Sequence, residues 1–246
     1  MKKVFGFLMM VVLTVSMHAN NLHTVINPTA GILSRGEARF HQLMFKNNGM
    51  MIGANVGLFD NFQFGVSYGA ENIVGEKEPE WHNQPSFNVR FRIINETLQM
   101  PAIAVGVDTQ GHGAYHNDLK RYDIKSKGAY AVASKNFRFL GMIGFDFGTN
   151  YTFEKEDDKT ALDFFTGMYK TIGQSLMVFA DFSLGLNDNC RNSEITGRSR
   201  GYLNTGVQFR ISDQLTLKLL MLDLLKNRES TELFDRSIMI DYRWFF

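Results

Sequence analysis

The sequence has four prolines in 246 residues and a single cysteine, Cys190. One cysteine excludes an intrachain disulfide, and its distance from the N-terminus leaves no thiol there for lipid attachment, so an unlipidated protein is expected. After the first nineteen positions there is no run of about eighteen apolar residues, and the mean hydropathy is −0.16, which excludes a helical membrane protein. Charge of one sign is also missing. The 26 Lys and Arg balance 25 Asp and Glu to a net charge of +1, so no broad basic surface exists for nucleic acid and no such partner is expected. Glycine and phenylalanine are plentiful, at 22 copies each.

Residues 1–19 have the layout of a secretory signal: Lys2 and Lys3, an apolar stretch from Val4 to Val15, then Ser16-Met17-His18-Ala19 at the expected cut. Met17 is a poor residue three positions before a cut, so cleavage near Ala19 is approximate. Residues 20–34 are irregular, with the turn-rich Asn27-Pro28-Thr29-Ala30-Gly31, and are expected to form a periplasmic lead-in. From residue 35 to 246, about twelve segments of roughly ten residues alternate in polarity between turn residues, as barrel strands do.

The last thirteen residues, Phe234 to Phe246, show the pattern best. Ile238, Ile240, Tyr242, Trp244 and Phe246 take every second position, while Ser237, Asp241 and Arg243 take others between them. A terminal strand ending in Tyr242, Trp244 and Phe246 resembles the assembly signal of bacterial outer-membrane barrels. Phe87, Val89, Phe91 and Ile93 likewise oppose Asn88, Arg90 and Arg92. Less regular stretches leave three expectations: Tyr130 and Val132 face outward, a turn near Asn136 opens the next strand, and a bulge near Leu220 restores a broken alternation.

The connectors sort by length. Links near Asp60-Asn61, Asn95 to Met100, Asn136, Gly173-Gln174 and Asp213 are mostly short, whereas the alternate ones, save the first at Lys46 to Gly49, are long and polar. Short turns on one rim and long loops on the other are the habit of outer-membrane barrels. The expected fold is therefore all-β, a transmembrane antiparallel up-and-down barrel of about twelve strands with its apolar face toward lipid. Its competitor is a secreted β-sandwich or lipocalin-like cup with that face inward.

On the barrel reading, the polar face lines the lumen. Asp146, Asp163 and Asp181 fall on three consecutive strands as an acidic wall. Arg39, Arg90, Arg92, Arg200, Arg210 and Arg243 supply positive charge elsewhere, and Glu37, His41, Asn88, Gln208 and Asp241 complete the lining. Two walls of opposite sign would set up a transverse field; the alternative is a ladder of internal ion pairs filling the barrel. A filled or narrow lumen is the expectation.

Candidate chemistry is thin. Asp108, His112, His116 and Asp118 share one loop and could ligate a metal, but its glycines argue against the helix needed to align both imidazoles, and a solvated surface loop is expected. No Ser and His spacing marks a phospholipase, and no carboxylate and His pairing marks a barrel protease. No catalytic residue, metal or cofactor is assigned, and the protein is not expected to be an enzyme.

Four segments also carry a family resemblance: residues 27–36 (NPTAGILSRG), 56–69 (VGLFDNFQFGVSYG), 100–111 (MPAIAVGVDTQG) and 215–225 (LTLKLLMLDLL). Together they resemble the YjbH-like group of bacterial outer-membrane barrels and its shorter relatives. The resemblance implies an outer-membrane barrel associated with exopolysaccharide production and carries over no catalytic residue. The group includes larger lipoproteins, from which this chain departs. The expected function is a narrow passive pore for small solutes, or a barrel serving envelope polysaccharide. A barrel hydrolase of lipid or peptide and a non-conducting scaffold for surface loops are the alternatives. Expected partners are outer-membrane lipid, lipopolysaccharide and the barrel assembly machinery.

Overall fold

The computed structural model describes residues 21–155, 161–189, 197–228 and 233–246. The signal segment, Cys190 and most of the loop after Glu154 lie outside the described residues. The strands are β1 (Glu37–Phe45), β2 (Gly49–Phe59), β3 (Phe62–Glu71), β4 (Glu80–Trp81), β5 (Ser86–Ile94), β6 (Ala102–Asp108), β7 (His112–His116) and β8 (Arg121–Ile124). They continue with β9 (Gly128–Arg138), β10 (Met142–Tyr151), β11 (Asp163–Ile172), β12 (Leu176–Ser183), β13 (Tyr202–Arg210), β14 (Leu215–Leu222) and β15 (Asp235–Phe245).

Twelve of these form one antiparallel ring, in the order β1, β2, β3, β5, β6, β9, β10, β11, β12, β13, β14 and β15. The ring closes where β15 pairs with β1, from Glu37 opposite Phe245 to Met44 opposite Ile238. Closure satisfies the backbone of every barrel strand and leaves no edge among them, the condition for crossing a membrane with strands. The sandwich alternative, which needs two facing sheets, does not describe this chain. Both ends of the ring lie on the short-turn rim. There the connectors are residues 60–61, 95–101, 139–141, 173–175 and 211–214, and the opposite rim, apart from the tight turn at 46–48, carries the longer loops.

Alternation decides which face is which. Phe147 is 63% exposed and Ile52 47%, whereas their neighbours on the other parity, such as Asp146 at 4%, are buried. Greasy residues outside and charged residues inside invert a soluble protein and suit a barrel solvated by hydrocarbon. The first connection turns tightly because Asn47 and Asn48 adopt φ of 58° and 53°, the left-handed pair of a two-residue hairpin. Phe147→Arg, near the middle of β10, is expected to cost about 2–4 kcal/mol of stability in lipid vesicles, measured by urea unfolding. A cost near zero would mean that this face does not meet hydrocarbon.

Six sequence expectations need correction. Tyr130 and Val132 face inward, because the Tyr130 hydroxyl receives a hydrogen bond from Arg90 Nε at 2.7 Å; Ala129, Ala131 and Ala133 form the outer face. β9 runs on to Arg138, so the turn falls at residues 139–141, where Leu140 and Gly141 take positive φ, and not at Asn136. No bulge interrupts β14: its register with β13 and β15 is continuous, and Leu220 and Leu222 point inward into an apolar cluster with Val25, Ile26, Tyr169, Met177 and Phe179. The remaining three concern Arg200, which lies outside the lumen, and the lead-in and the long loop after Asp108, which both lie inside the ring.

Candidate functional site: the occupied lumen

Residues 21–34 do not hang from the rim as a lead-in. They rise into the lumen from Ser34, turn between Thr24 and Asn27, and fold back as a hairpin in which His23 pairs with Pro28. Thr24 N–H donates to the Asn27 carbonyl at 2.9 Å, and Thr29 N–H to the Leu22 carbonyl at 3.1 Å. The reason is compositional. The stretch contains no Asp, Glu, Lys or Arg, and Leu22, Val25, Ile26, Ile32 and Leu33 are all buried. Such a segment gains more by burying its apolar side chains than by solvation, provided its amides find partners.

The acidic wall supplies those partners. Asp181 Oδ2 accepts the backbone N–H groups of Val25, Ile26 and Asn27 at 2.9, 2.8 and 2.9 Å, and its Oδ1 accepts Asn204 Nδ2 at 2.8 Å. Asp146 accepts the Thr24 hydroxyl at 2.8 Å and the Ser134 hydroxyl at 2.5 Å. Ser134 Oγ in turn receives Ala30 N–H at 2.8 Å. Asp163, the third acid, accepts Leu186 N–H at 3.1 Å near the long-loop rim. Across the lumen, Arg90 Nη1 donates to the Gly31 carbonyl at 2.8 Å, and Gln63 Oε1 accepts Leu33 N–H at 3.0 Å.

The basic side is paired internally. Asp241 lies between Arg39, whose Nε is 2.7 Å from Oδ1, and Lys218, whose Nζ is 2.9 Å from Oδ2. Arg243 Nη1 is 3.6 Å from Glu37, which also accepts Ser34 N–H at 2.9 Å. His41 is buried against Gly53. Asn88 accepts Asn55 Nδ2 at 2.8 Å, Gln208 is buried beside Lys218, and Arg92 and Arg210 are half-buried near the short-turn rim. Arg200 does not line the lumen. It is exposed just before β13, with Nη1 3.3 Å from the Leu225 carbonyl, because the strand begins only at Tyr202. At the barrel seam Tyr242 stacks on Trp244 at 5.8 Å, and the backbone N–H of Phe246 caps the Gly36 carbonyl at 3.0 Å.

The loop after Asp108 is not solvated. It forms the hairpin of β7 and β8, which pair with each other, and Arg121, Tyr122, Asp123, Ile124 and Lys125 are all buried. Four loops around the long-loop rim hold it. Lys46 Nζ is 2.7 Å from Asp123; Glu154 accepts Tyr122 and Ser126 N–H at 3.1 and 2.9 Å; Arg121 Nη1 is 2.6 Å from Asp188; and Arg228 Nη1 is 3.2 Å from Asp123. His116 Nε2 is spent on Asp123 at 2.9 Å rather than on a shared ligand with His112, and no cluster of three metal-ligating residues occurs among the described residues. Burial would raise the Asp123 carboxyl, but its bond to His116 and the charges of Arg228 and Lys46 outweigh that and hold it well below the usual carboxylate range. Burial also lowers His82 in this mouth to about 4, so the ring is neutral.

Between the hairpin and the barrel wall the described residues leave a cavity of about 10 Å³, lined by Lys125, Lys127, Asp163, Ser183, Asp188 and Tyr202 among others. That is room for a single water molecule. Sequence reasoning missed this double filling. The available signal was the uncharged, apolar-rich composition of residues 21–34, which is wrong for a solvated tail.

A closed ring with a lipid face and a polar, occupied lumen defines a transmembrane β-barrel of the outer-membrane, porin-like kind. No protein-family model matches the chain, and no curated protein is similar to it. Solved structures are. The chain is similar to the KdgM porin, at 6% identity and a TM-score of 0.50 over 84% of this chain and 98% of that one. The KdgM porin in complex with disordered oligogalacturonate gives 6% identity and 0.51 over the same shares, 84% and 98%. The NanC porin gives 10% identity and 0.50 over 85% of this chain and 99% of that one. At these identities the likeness is one of fold.

Proposed function

We propose that the protein is a narrow passive channel of the outer membrane, exported with removal of residues 1–19 and inserted by the barrel assembly machinery, that acts without catalysis and rests closed. The observation that carries this reading is that a polar inner face is closed by a segment outside the barrel ladder: among the described residues, no strand pairing joins residues 21–34 to the ring. The wall of Asp146, Asp163 and Asp181 would repel a polyuronate such as the ligand of the KdgM complex, so the solute proposed is small, polar and without net negative charge. The exopolysaccharide association implied by the YjbH-like resemblance fits here only for the passage of an uncharged saccharide.

In planar bilayers the intact protein is expected to be nearly insulating. A variant lacking residues 21–33 and the β7–β8 hairpin is expected to conduct steadily. A double deletion that remains a folded barrel and still insulates would overturn the channel and favour the second reading that the filled lumen supports, a non-conducting scaffold for surface loops.

A further inference from the structure

Most of the contacts that seat residues 21–34 are aimed at peptide backbone. Gln63, Ser134 and Asp181 accept the N–H groups of Leu33, Ala30, Val25, Ile26 and Asn27, and Arg90 donates to the Gly31 carbonyl. Three successive amides converging on one carboxylate oxygen form the concave arrangement by which a peptide chain binds an anion. Four of the wall's contacts to this stretch go to its side chains: Asp146 takes the Thr24 hydroxyl, Ser183 Oγ lies 2.9 Å from Asn27 Oδ1, Asn21 Nδ2 lies 3.1 Å from Met177 Sδ, and His23 Nε2 lies 3.6 Å from Asp108.

The wall is also shaped for a chain. A Cβ at Gly57 would collide with the Ser34 carbonyl, and one at Gly167 would lie 2.6 Å from Thr24 Oγ1. Val25 and Ile26 enter an apolar pocket with Tyr169, Met177 and Phe179. Asp181 and Arg90 therefore serve backbone groups, and the segment's one titratable side chain, His23, lies 3.6 Å from Asp108. A site of this kind selects backbone donors and acceptors together with small apolar side chains.

We propose that this lumen wall is a binding site for short uncharged peptides, occupied in the resting protein by the chain's own residues 21–34 as a tethered plug. The proposal extends the channel reading to the class of ligand the lumen takes. Because it is tested by binding, without conductance, the two can fail separately.

The test uses a fluorescein-labelled peptide of residues 21–34 and a chain lacking residues 21–33, in detergent micelles, with heat-modifiable gel migration to show that the barrel is folded. Saturable binding to the deletion variant is expected, at least about tenfold weaker to the full chain. Methylating the three amide nitrogens of Val25, Ile26 and Asn27 in the peptide, or introducing Asp181→Asn in the deletion variant, is expected to weaken it by about tenfold or more. Unlabelled peptide should compete, and maltotriose at the same concentration should not. Equal binding to both chains, indifference to N-methylation, or competition by the sugar alone would overturn the proposal. Should the deletion variant fail to fold, full-length Gly167→Val and Asp181→Asn are compared with the parent by hydrogen exchange. Exchange at residues 24–27 is expected to be about tenfold faster in both, and unchanged exchange in both would also overturn it.

Discussion

Asp241→Ala is expected to destabilise the barrel by about 3–5 kcal/mol, the effect of removing one partner from a buried ion pair. Asp241 is 1% exposed on β15, and its carboxylate joins three neighbouring strands across the seam: Arg39 on β1 and Lys218 on β14 both end on it. Without it two cations face each other in a lumen where water screens them poorly, and no described carboxylate is bonded to Lys218 in its place. The cost comes mostly from the charges left behind, so chemistry and not volume should set the series. Asp241→Asn keeps an acceptor and is expected to cost less than Ala. Asp241→Ala combined with Lys218→Met removes one stranded cation and is expected to recover part of the loss despite being a double change. Urea unfolding in lipid vesicles, followed by the fluorescence of Trp244 in the same strand, measures all three. A single-variant loss below about 1 kcal/mol, the range of an exposed pair, would show that the lumen is wet enough to solvate both cations.

The strands were legible in the sequence because their two faces meet two different solvents. Phe87, Phe91 and Ile93 could be sorted from Asn88, Arg90 and Arg92 without knowing the fold, and the connector lengths then sorted the rims. Legibility failed where the inward face is itself apolar. Leu220 and Leu222 looked like a phase error because nothing in β14 announces that Val25 and Ile26 come to meet them, some 200 residues earlier in the chain. Tyr130 failed because nothing in β9 announces that its hydroxyl meets Arg90 of β5 across the inner face. The lumen acids were legible as a wall on three consecutive strands, but not their use. A carboxylate that binds amides of an irregular segment leaves no periodic trace. The mouth hairpin was hidden by its polarity, since Arg121, Asp123, Lys125 and Lys127 read as a solvated loop until Asp188, Arg228, Asn187 and Ser183 are placed opposite them.

Arg228→Ala is expected to release that hairpin, with a cost of about 3–5 kcal/mol in local stability. The guanidinium is fully buried and reaches three carboxylates at once: Asp123 in the hairpin at 3.2 Å, and Asp223 and Asp235 flanking the β14–β15 loop at 3.4 and 2.5 Å. Alanine leaves these acids to be solvated or protonated, and Asp123 keeps only Lys46 of the two cations that tie the hairpin to the rim loops. Arg228→Lys keeps the charge, but a single ammonium does not span three carboxylates, so an intermediate effect is expected. Trypsin reports the release directly. Arg121, Lys125 and Lys127 are buried cleavage sites in the parent and should be cut readily in Arg228→Ala. The pH dependence gives a second, independent sign. Asp123 is held below its ordinary pKa in the fold, so its contribution is complete above the unfolded value of about 4 and is lost only as the pH falls through the lower folded one. In the parent, hydrogen exchange of residues 121–126 should therefore stay protected between neutral pH and about pH 4. In Arg228→Ala, with one of the cations that depress Asp123 gone, what protection remains should begin to fall at higher pH than in the parent. Protection that is equal in both proteins across that range, together with equal resistance to trypsin, would mean that Arg228 does not hold the hairpin in the mouth.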